Sequence, residues 1–326
     1  MYNQIEAILS QYEMKIYEVV KGRGSYICDT DKGQKLLVSF RGSKEKGEFL
    51  CAFLKDIQRC GFSVEQIERN KQGEAVSVDE VTGDHFLVKD GVSGTELNTG
   101  RLDELRAAVT LLAEYHNVAG KTEIIVPERI KENAATIVEV RRRHYREIAK
   151  VKNYIRGRKK KNAFEQMFMR VYENMMHTAE KSIQILEEEE EKNPQSLICH
   201  GDYNQHNVIF LEGHWRIVHY ENFFYGWPVL DLANFLRKML EKNNWDVALG
   251  EDLIRAYDQV YPLGDNGMQQ LCGILLFPEK FWKISNHYMN SRKSWISERD
   301  MEKLKKVIEQ ETARLFFVEN LFSIPK

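Results

Sequence analysis

Long apolar runs, paired cysteines and an excess of one charge are all missing from this 326-residue chain. Each absence removes a class of function. No stretch approaches the ~20 apolar residues that span a bilayer, so no transmembrane helix is expected. Five scattered cysteines (Cys28, Cys51, Cys60, Cys199 and Cys272), odd in number and without a CxxC pair, read neither as a disulfide framework nor as a zinc site. They suit a reducing interior. Six prolines and no low-complexity tract argue against long disordered linkers. Forty-seven basic against 49 acidic residues leave a formal charge of -2, which gives no global attraction to nucleic acid or to an acidic membrane. Met1–Tyr12 is polar and has no apolar centre, so it does not read as a signal peptide, and cytoplasmic synthesis is expected.

What is present divides the chain by character. Ile16–Val20 and Tyr26–Thr30 alternate β-formers around Lys21-Gly22-Arg23-Gly24-Ser25, and Lys35–Phe40 follows the turn Asp31-Lys32-Gly33. Glu45–Arg59 has helical spacing through Phe49, Phe53, Leu54 and Ile57 and stops before Gly61. Further strands are expected at Ala75–Val81 and His85–Lys89. The sum is a β-rich lobe over residues 1–90 with one inserted helix. Residues 91–326 then read as a helical lobe. It contains helix 102–117, a long helical insert at 131–190, short strands at 197–199, 208–210 and 216–220, and helices from 229 to 322. A hinge is expected near Val88–Gly94.

Between the short strands lies Ile198-Cys199-His200-Gly201-Asp202-Tyr203-Asn204-Gln205-His206-Asn207-Val208-Ile209. An Asp followed five residues later by Asn, between apolar strands, has the spacing of a phosphotransferase catalytic loop. In that chemistry the carboxylate of Asp202 orients and deprotonates an attacking hydroxyl, and the Asn207 amide oxygen helps to hold a magnesium ion against nucleotide phosphates. His200 is expected to pack and to hydrogen-bond the loop backbone. The plain alternative is a polar loop whose Asp and Asn satisfy turns.

His200–Ile209 resembles the catalytic loop of aminoglycoside and choline kinases. Lys21–Tyr26 with Arg41-Gly42-Ser43, Leu112–His116, Asp231–Lys238 and Pro278–Lys283 extend the resemblance, in order, to the bacterial spore coat protein S family. The resemblance implies an α+β, bilobal protein-kinase-like fold, ATP and Mg2+ as cofactors, a place in the spore coat or in sporulation, and other coat proteins as partners. It implies a nucleotide site formed by Gly22, Gly24 and Ser25, by the position of Val38, and by the hinge residues Lys89 and Asp90. Asp231 resembles a buried aspartate that supports the catalytic loop, and with Pro228 upstream it is an N-cap candidate.

Two positions depart from the resemblance. His219 in Trp215–Glu221 stands where a magnesium-chelating Asp is expected, and imidazole is a softer donor than a hard cation prefers. Glu221, two residues on along a regular strand, would share its face and so joins Asn207 and His219 as a candidate metal ligand. Val38 stands where the phosphate-pairing lysine is expected, while Lys35 and Arg41 face away from it by odd spacing. Glu48 on the following helix is then left as a solvated residue. Lost together, the lysine and the carboxylate would remove much of the electrostatic stabilisation of phosphoryl transfer. Three readings follow: a degenerate phosphotransferase, an active small-molecule or protein kinase with Asp202 as base, and an anionic-polymer binding module. The third rests on the basic clusters at 141–143 and 156–161. The Glu187–Glu191 run and the scarcity of interleaved aromatics favour a solvated, ion-paired helix there instead, and nucleic acid is not an expected partner.

Overall fold

The computed structural model describes residues 2–132, 135–291 and 298–322. The fold is α+β, and its contacts divide it into two compact units, Met1–Asn133 with Leu197–Tyr225, and Ala134–Ser196 with Gly226–Lys326. The loop 198–209 therefore belongs with the N-terminal strands and not with the helices around it in sequence.

In the first unit, β1 (Ile16–Lys21), β2 (Ser25–Thr30), β3 (Gly33–Phe40), β4 (Ser77–Val78) and β5 (His85–Asp90) form an antiparallel sheet in the order β1-β2-β3-β5-β4. Helix α1 (Tyr2–Leu9), which the polar N-terminus did not announce, lays Ile5, Ile8 and Leu9 on one face of this sheet with Cys28, Leu37 and Val88. The register pairs Lys35 with Asp90, Leu37 with Val88, Leu36 with Lys89 and Val38 with Leu87. Paired residues share a face. Lys35 and Asp90 therefore stand on the α1 side, and Val38 and Lys89 stand together on the other. Helix α2 (Lys44–Arg59) starts at Ser43, whose side chain accepts from Lys46 N. The strand expected over Ala75–Val81 shrinks to two residues, because Asp79 turns the chain: its carbonyl accepts from Gly83 N and its carboxylate from Val81 N.

After β6 (Thr95–Glu96), helix α3 (Leu102–Ala119) and the short α4 (Glu128–Glu132), the chain enters the second unit. The expected insert is two helices, α5 (Ile137–Arg156) and α6 (Ala163–Glu191). Gly157 ends the first, and Asn162 opens the second with a capping box to Glu165. Their core is Ile148, Val151, Phe164, Phe168 and Tyr172, packed on Phe281, Tyr288 and Leu304.

β7 (Leu197–Cys199), β8 (Val208–Leu211), β9 (His214–Ile217) and β10 (Phe224–Gly226) follow, then α7 (Val229–Lys242), α8 (Val247–Asp258), α9 (Gly264–Leu276), α10 (Glu279–Asn290) and α11 (Glu298–Phe322). The strand expected at 216–220 ends at Ile217. His219 takes a left-handed backbone, φ 70°, and a 3-10 turn runs over Tyr220–Asn222. Asp231 is not the N-cap of α7. Pro228 occupies that position, its fixed φ suiting a helix start, and Asp231 lies buried in the first turn.

Candidate functional site

The loop between β7 and β8 is held mainly through its own backbone. His200 is fully buried; its Nε2 lies 3.0 Å from Val218 O and its Nδ1 accepts from Asp202 N at 3.2 Å. This is the neutral tautomer with the proton on Nε2. Asn204 donates to Asp202 O and accepts from His206 N. The Asn207 amide donates to Asp202 O at 2.8 Å and to the Asp202 carboxylate at 3.2 Å. Two tyrosines tie the loop to α3: Tyr203 of the loop donates to Ala108 O, and Tyr115 of α3 donates to Ile198 O. Gly201 has φ +83°, and a Cβ there would overlap the Asn222 carbonyl oxygen. Only glycine lets the loop lie this close to the 220–222 turn.

The second half of the site centres on a lysine. Lys89 on β5 is 1% exposed. Its ammonium lies 2.9 Å from Glu65 Oε1, 2.9 Å from His219 Nδ1, and in an ion pair with Glu221. Glu65 sits in the segment after α2 that bridges β9 through Val64 and β5 through Ile67. Its Oε1 also accepts from His219 N at 2.8 Å and Tyr220 N at 3.2 Å. That pair of donors explains the left-handed turn at His219: it aims two successive N–H groups at one carboxylate. Burial alone would raise Glu221, but the Lys89 ammonium outweighs it and holds the carboxyl well below its usual range. Burial likewise works to lower Lys89, and Glu65 and Glu221 overcome it to hold the ammonium above its ordinary value.

This arrangement decides whether the expected magnesium set fits. A neutral imidazole has one lone-pair nitrogen, and an ammonium is a donor only. With Lys89 on Nδ1, that nitrogen is the acceptor and Nε2 carries the proton. His219 therefore has no lone pair to give a metal, and one Glu221 oxygen is held by the Lys89 ammonium, which Glu65 shares. Asn207, the third candidate, turns its amide nitrogen to Asp202. His219, a nitrogen donor whose lone pair is taken, does not fit as a ligand of a hard divalent cation. His219 and Glu221 also do not share a strand face as expected, because no strand runs through 219–221. They meet at Lys89.

The remaining candidates separate. Gly22 and Gly24 form the β1–β2 turn, with Gly22 N donating to Ser25 O at 2.9 Å and Gly24 at φ +77°. Arg23 in this turn reaches the loop, its Nη1 3.4 Å from His206 Nδ1. Ser25 pairs with Val38 in the register. Asp90 stands apart on the α1 face, accepting from Lys35 at 2.8 Å and Gln66 N at 2.9 Å. Glu48 accepts from Arg69 and from Ala75 N, pinning the 69–75 loop. Glu65 escaped the sequence reading. Its one signal was an acid in phase with Ile67, in a stretch where Glu65 and Ile67 are buried on either side of the half-buried Gln66.

A family model described as "Spore coat putative kinase YutH" matches residues 5–321. Spore coat protein S of Bacillus subtilis strain 168 is 23% identical over 331 residues, covering 97% of this chain and 93% of that protein. Among solved structures, an aminoglycoside phosphotransferase from Alicyclobacillus acidocaldarius superposes with TM-score 0.82 at 18% identity, covering 98% of this chain and 95% of the other. A microcompartment-associated aminopropanol kinase does so with TM-score 0.66 at 13% identity, covering 99% and 98%. The fold is that of the aminoglycoside-phosphotransferase type of kinase.

Proposed function

The chain belongs to the spore coat kinase-like family named by the description "Spore coat putative kinase YutH", and from that premise we propose that it is a coat-associated member in which the phosphotransfer site has become a metal-free structural element. One observation carries this reading. The ammonium of Lys89 takes the lone pair of His219 and pairs with Glu221, the two groups that would otherwise face a metal. Phosphoryl transfer depends on cations that neutralise phosphate oxygens as charge moves. Lys89 carries a fixed positive charge in this region, but its three partners already satisfy it. Val38 supplies none on the neighbouring strand.

The alternative, an active ATP- and magnesium-dependent kinase with Asp202 as base, draws on one specific observation: Asp202 and Asn207 keep their spacing and their mutual hydrogen bond. Thermal-shift titration with ATP, with and without magnesium or manganese, separates the two. A ligand at ~100 times its dissociation constant stabilises by about 2.7 kcal/mol, several degrees for most domains. The expected result is no metal-dependent shift and no nucleotide turnover above the level of Asp202→Ala. A metal-dependent shift with turnover that Asp202→Ala abolishes would establish the active kinase instead.

A further inference from the structure

Helix α5 and the turn after it have two unlike sides. Arg142, Lys152 and Arg158 face α6, where Glu187, Glu173 and Glu165 lie 2.8, 2.7 and 3.1 Å away. Arg143, Arg146, Lys150, Arg156, Lys159 and Lys160 are exposed instead, and none of them has an ion-pair partner among the described residues. The only acid between 143 and 160, Glu147, accepts the indole N–H of Trp282. Arg143, Arg146 and Lys150 follow one another at three and four residues, a spacing at which like charges repel on a helix. Such a row is complementary to an anionic surface.

The same unit carries a surface of opposite sign. A groove of about 460 Å³ between α8 and α9 has Ile254 and Met268 in its wall, with Asp258, Asp265 and Glu251 around it; Arg255, 3.9 Å from Glu251, is the one cation among its lining residues. All three acids are exposed. Glu251 and Asp258 are seven residues apart on α8, as Arg143 and Lys150 are on α5. Two turns of helix separate each pair, roughly 10.5 Å along the axis.

We propose that the α5 basic face of one copy docks on the α8–α9 acidic groove of a second copy of this chain. The two surfaces are different, so the contact is head-to-tail and extends into an open chain of subunits unless its rotation closes a ring. A net charge of -2 leaves little overall repulsion to oppose it. Exposed ion pairs are individually weak, so the contact forms at high protein concentration and dissolves in salt. It stands independently of whether the nucleotide site is active.

Sedimentation velocity on the full chain tests it, at about 0.01 M and about 1 M salt, where the screening lengths are roughly 30 Å and 3 Å. The expected result is association that grows with concentration at low salt and disappears at high salt. Arg143→Glu/Arg146→Glu/Lys150→Glu should leave a monomer, and so should Glu251→Lys/Asp258→Lys/Asp265→Lys. Mixing the two charge-reversed proteins should restore association, because the reversed faces then match each other. Circular dichroism checks that both variants fold, and all six positions are on the surface. A monomer at every salt and concentration overturns the proposal, as does failure of the folded, mixed variants to reassociate. A basic-face variant that loses only its retention on heparin or RNA, with self-association unchanged, also overturns it and points to a nucleic-acid or polysaccharide ligand.

Discussion

The two faces of the N-terminal sheet each hold a buried lysine between two carboxylates, and they use it differently. On the α1 face Lys35 lies 2.6 Å from Glu68 and 2.8 Å from Asp90, whose side chains are 27% and 38% exposed. Water shares the charge of those partners, and the cluster joins β3 only to β5 and the segment beside it. On the opposite face Lys89 meets Glu65 and Glu221 with side chains 2% and 14% exposed. Here little water is available, and three distant stretches of chain must converge to neutralise one ammonium. The same pair of residue types is a local clip on one side and an enclosed junction on the other. Burial separates the two cases, since the cost of an uncompensated charge rises steeply as solvent is removed.

Removing each lysine should give the largest contrast. Lys89→Met leaves two buried carboxylates unpaired and is expected to lose about 3–5 kcal/mol of unfolding free energy. Lys35→Met should lose about 1.5–3 kcal/mol, the range for a hydrogen-bonded charge with partly hydrated partners. Urea denaturation measures both. The triple variant Lys89→Met/Glu65→Gln/Glu221→Gln should recover much of the first loss, because the penalty is the orphaned charge and not the missing contact. Equal losses for the two lysines would erase the distinction between the faces.

Gly201→Ala sharpens the comparison from the loop side of the enclosed junction. The substitution combines a left-handed backbone, about 1–2 kcal/mol, with overlap on the Asn222 carbonyl, about 1–3 kcal/mol. An unfolding free energy lower by about 2–5 kcal/mol is expected from the same denaturation. Gly24 has a similar φ, but a Cβ there meets nothing within 4 Å, so Gly24→Ala should cost only the backbone part.

Acid should act on the enclosed junction through Glu221. Its folded carboxyl titrates below its unfolded counterpart, which has an ordinary value of about 4.3. The unfolded state therefore takes up the proton first. The contribution is present in full above about pH 4.3 and is lost as pH falls below it, at up to about 1.4 kcal/mol per pH unit. In the second unit Glu279 follows the same sign: burial opposes it, but Arg141 and its neighbours bring it to about 2. Urea midpoints between about pH 5 and pH 3 should fall less steeply in Glu221→Gln than in the wild-type chain. An unchanged acid limb would mean that Glu221 is not charged in the folded state.

What the sequence disclosed here was local, and what it withheld was convergent. The β1–β2 hairpin, the third strand and α2 follow from alternation, glycine turns and helical spacing within a dozen residues. Asp202 and Asn207 could be read because five residues separate them in one loop. The replacement at His219 was visible as a substitution, but its meaning was not. Its acceptor role depends on Lys89, 130 residues away, and its left-handed turn depends on Glu65, which lies in a segment with no motif. The strand expected to run through 220 stops early for the same reason: Val218 N is taken by Asn207 O, and the next two N–H groups go to Glu65. No period in the sequence encodes an acceptor supplied by another part of the chain.

The smallest expected effect is at Asp202, and it bears most directly on function. The loop is held by backbone groups that an asparagine leaves in place: Asp202 N donates to His200, and Asp202 O accepts from Asn207 and Asn204. The carboxylate adds a 3.2 Å bond from Asn207, which the Asn oxygen can still accept. Asp202→Asn should therefore change stability by less than about 1 kcal/mol. If the enclosed lysine has replaced the metal, nucleotide turnover in this variant should equal that of the wild type, both at background. An active site of the ordinary kind predicts the opposite pairing: stability unchanged and turnover lost by two orders of magnitude or more, about the contribution of a general base. Two assays on this variant and the wild type then decide whether the intact half of the site still performs chemistry beside its remodelled half.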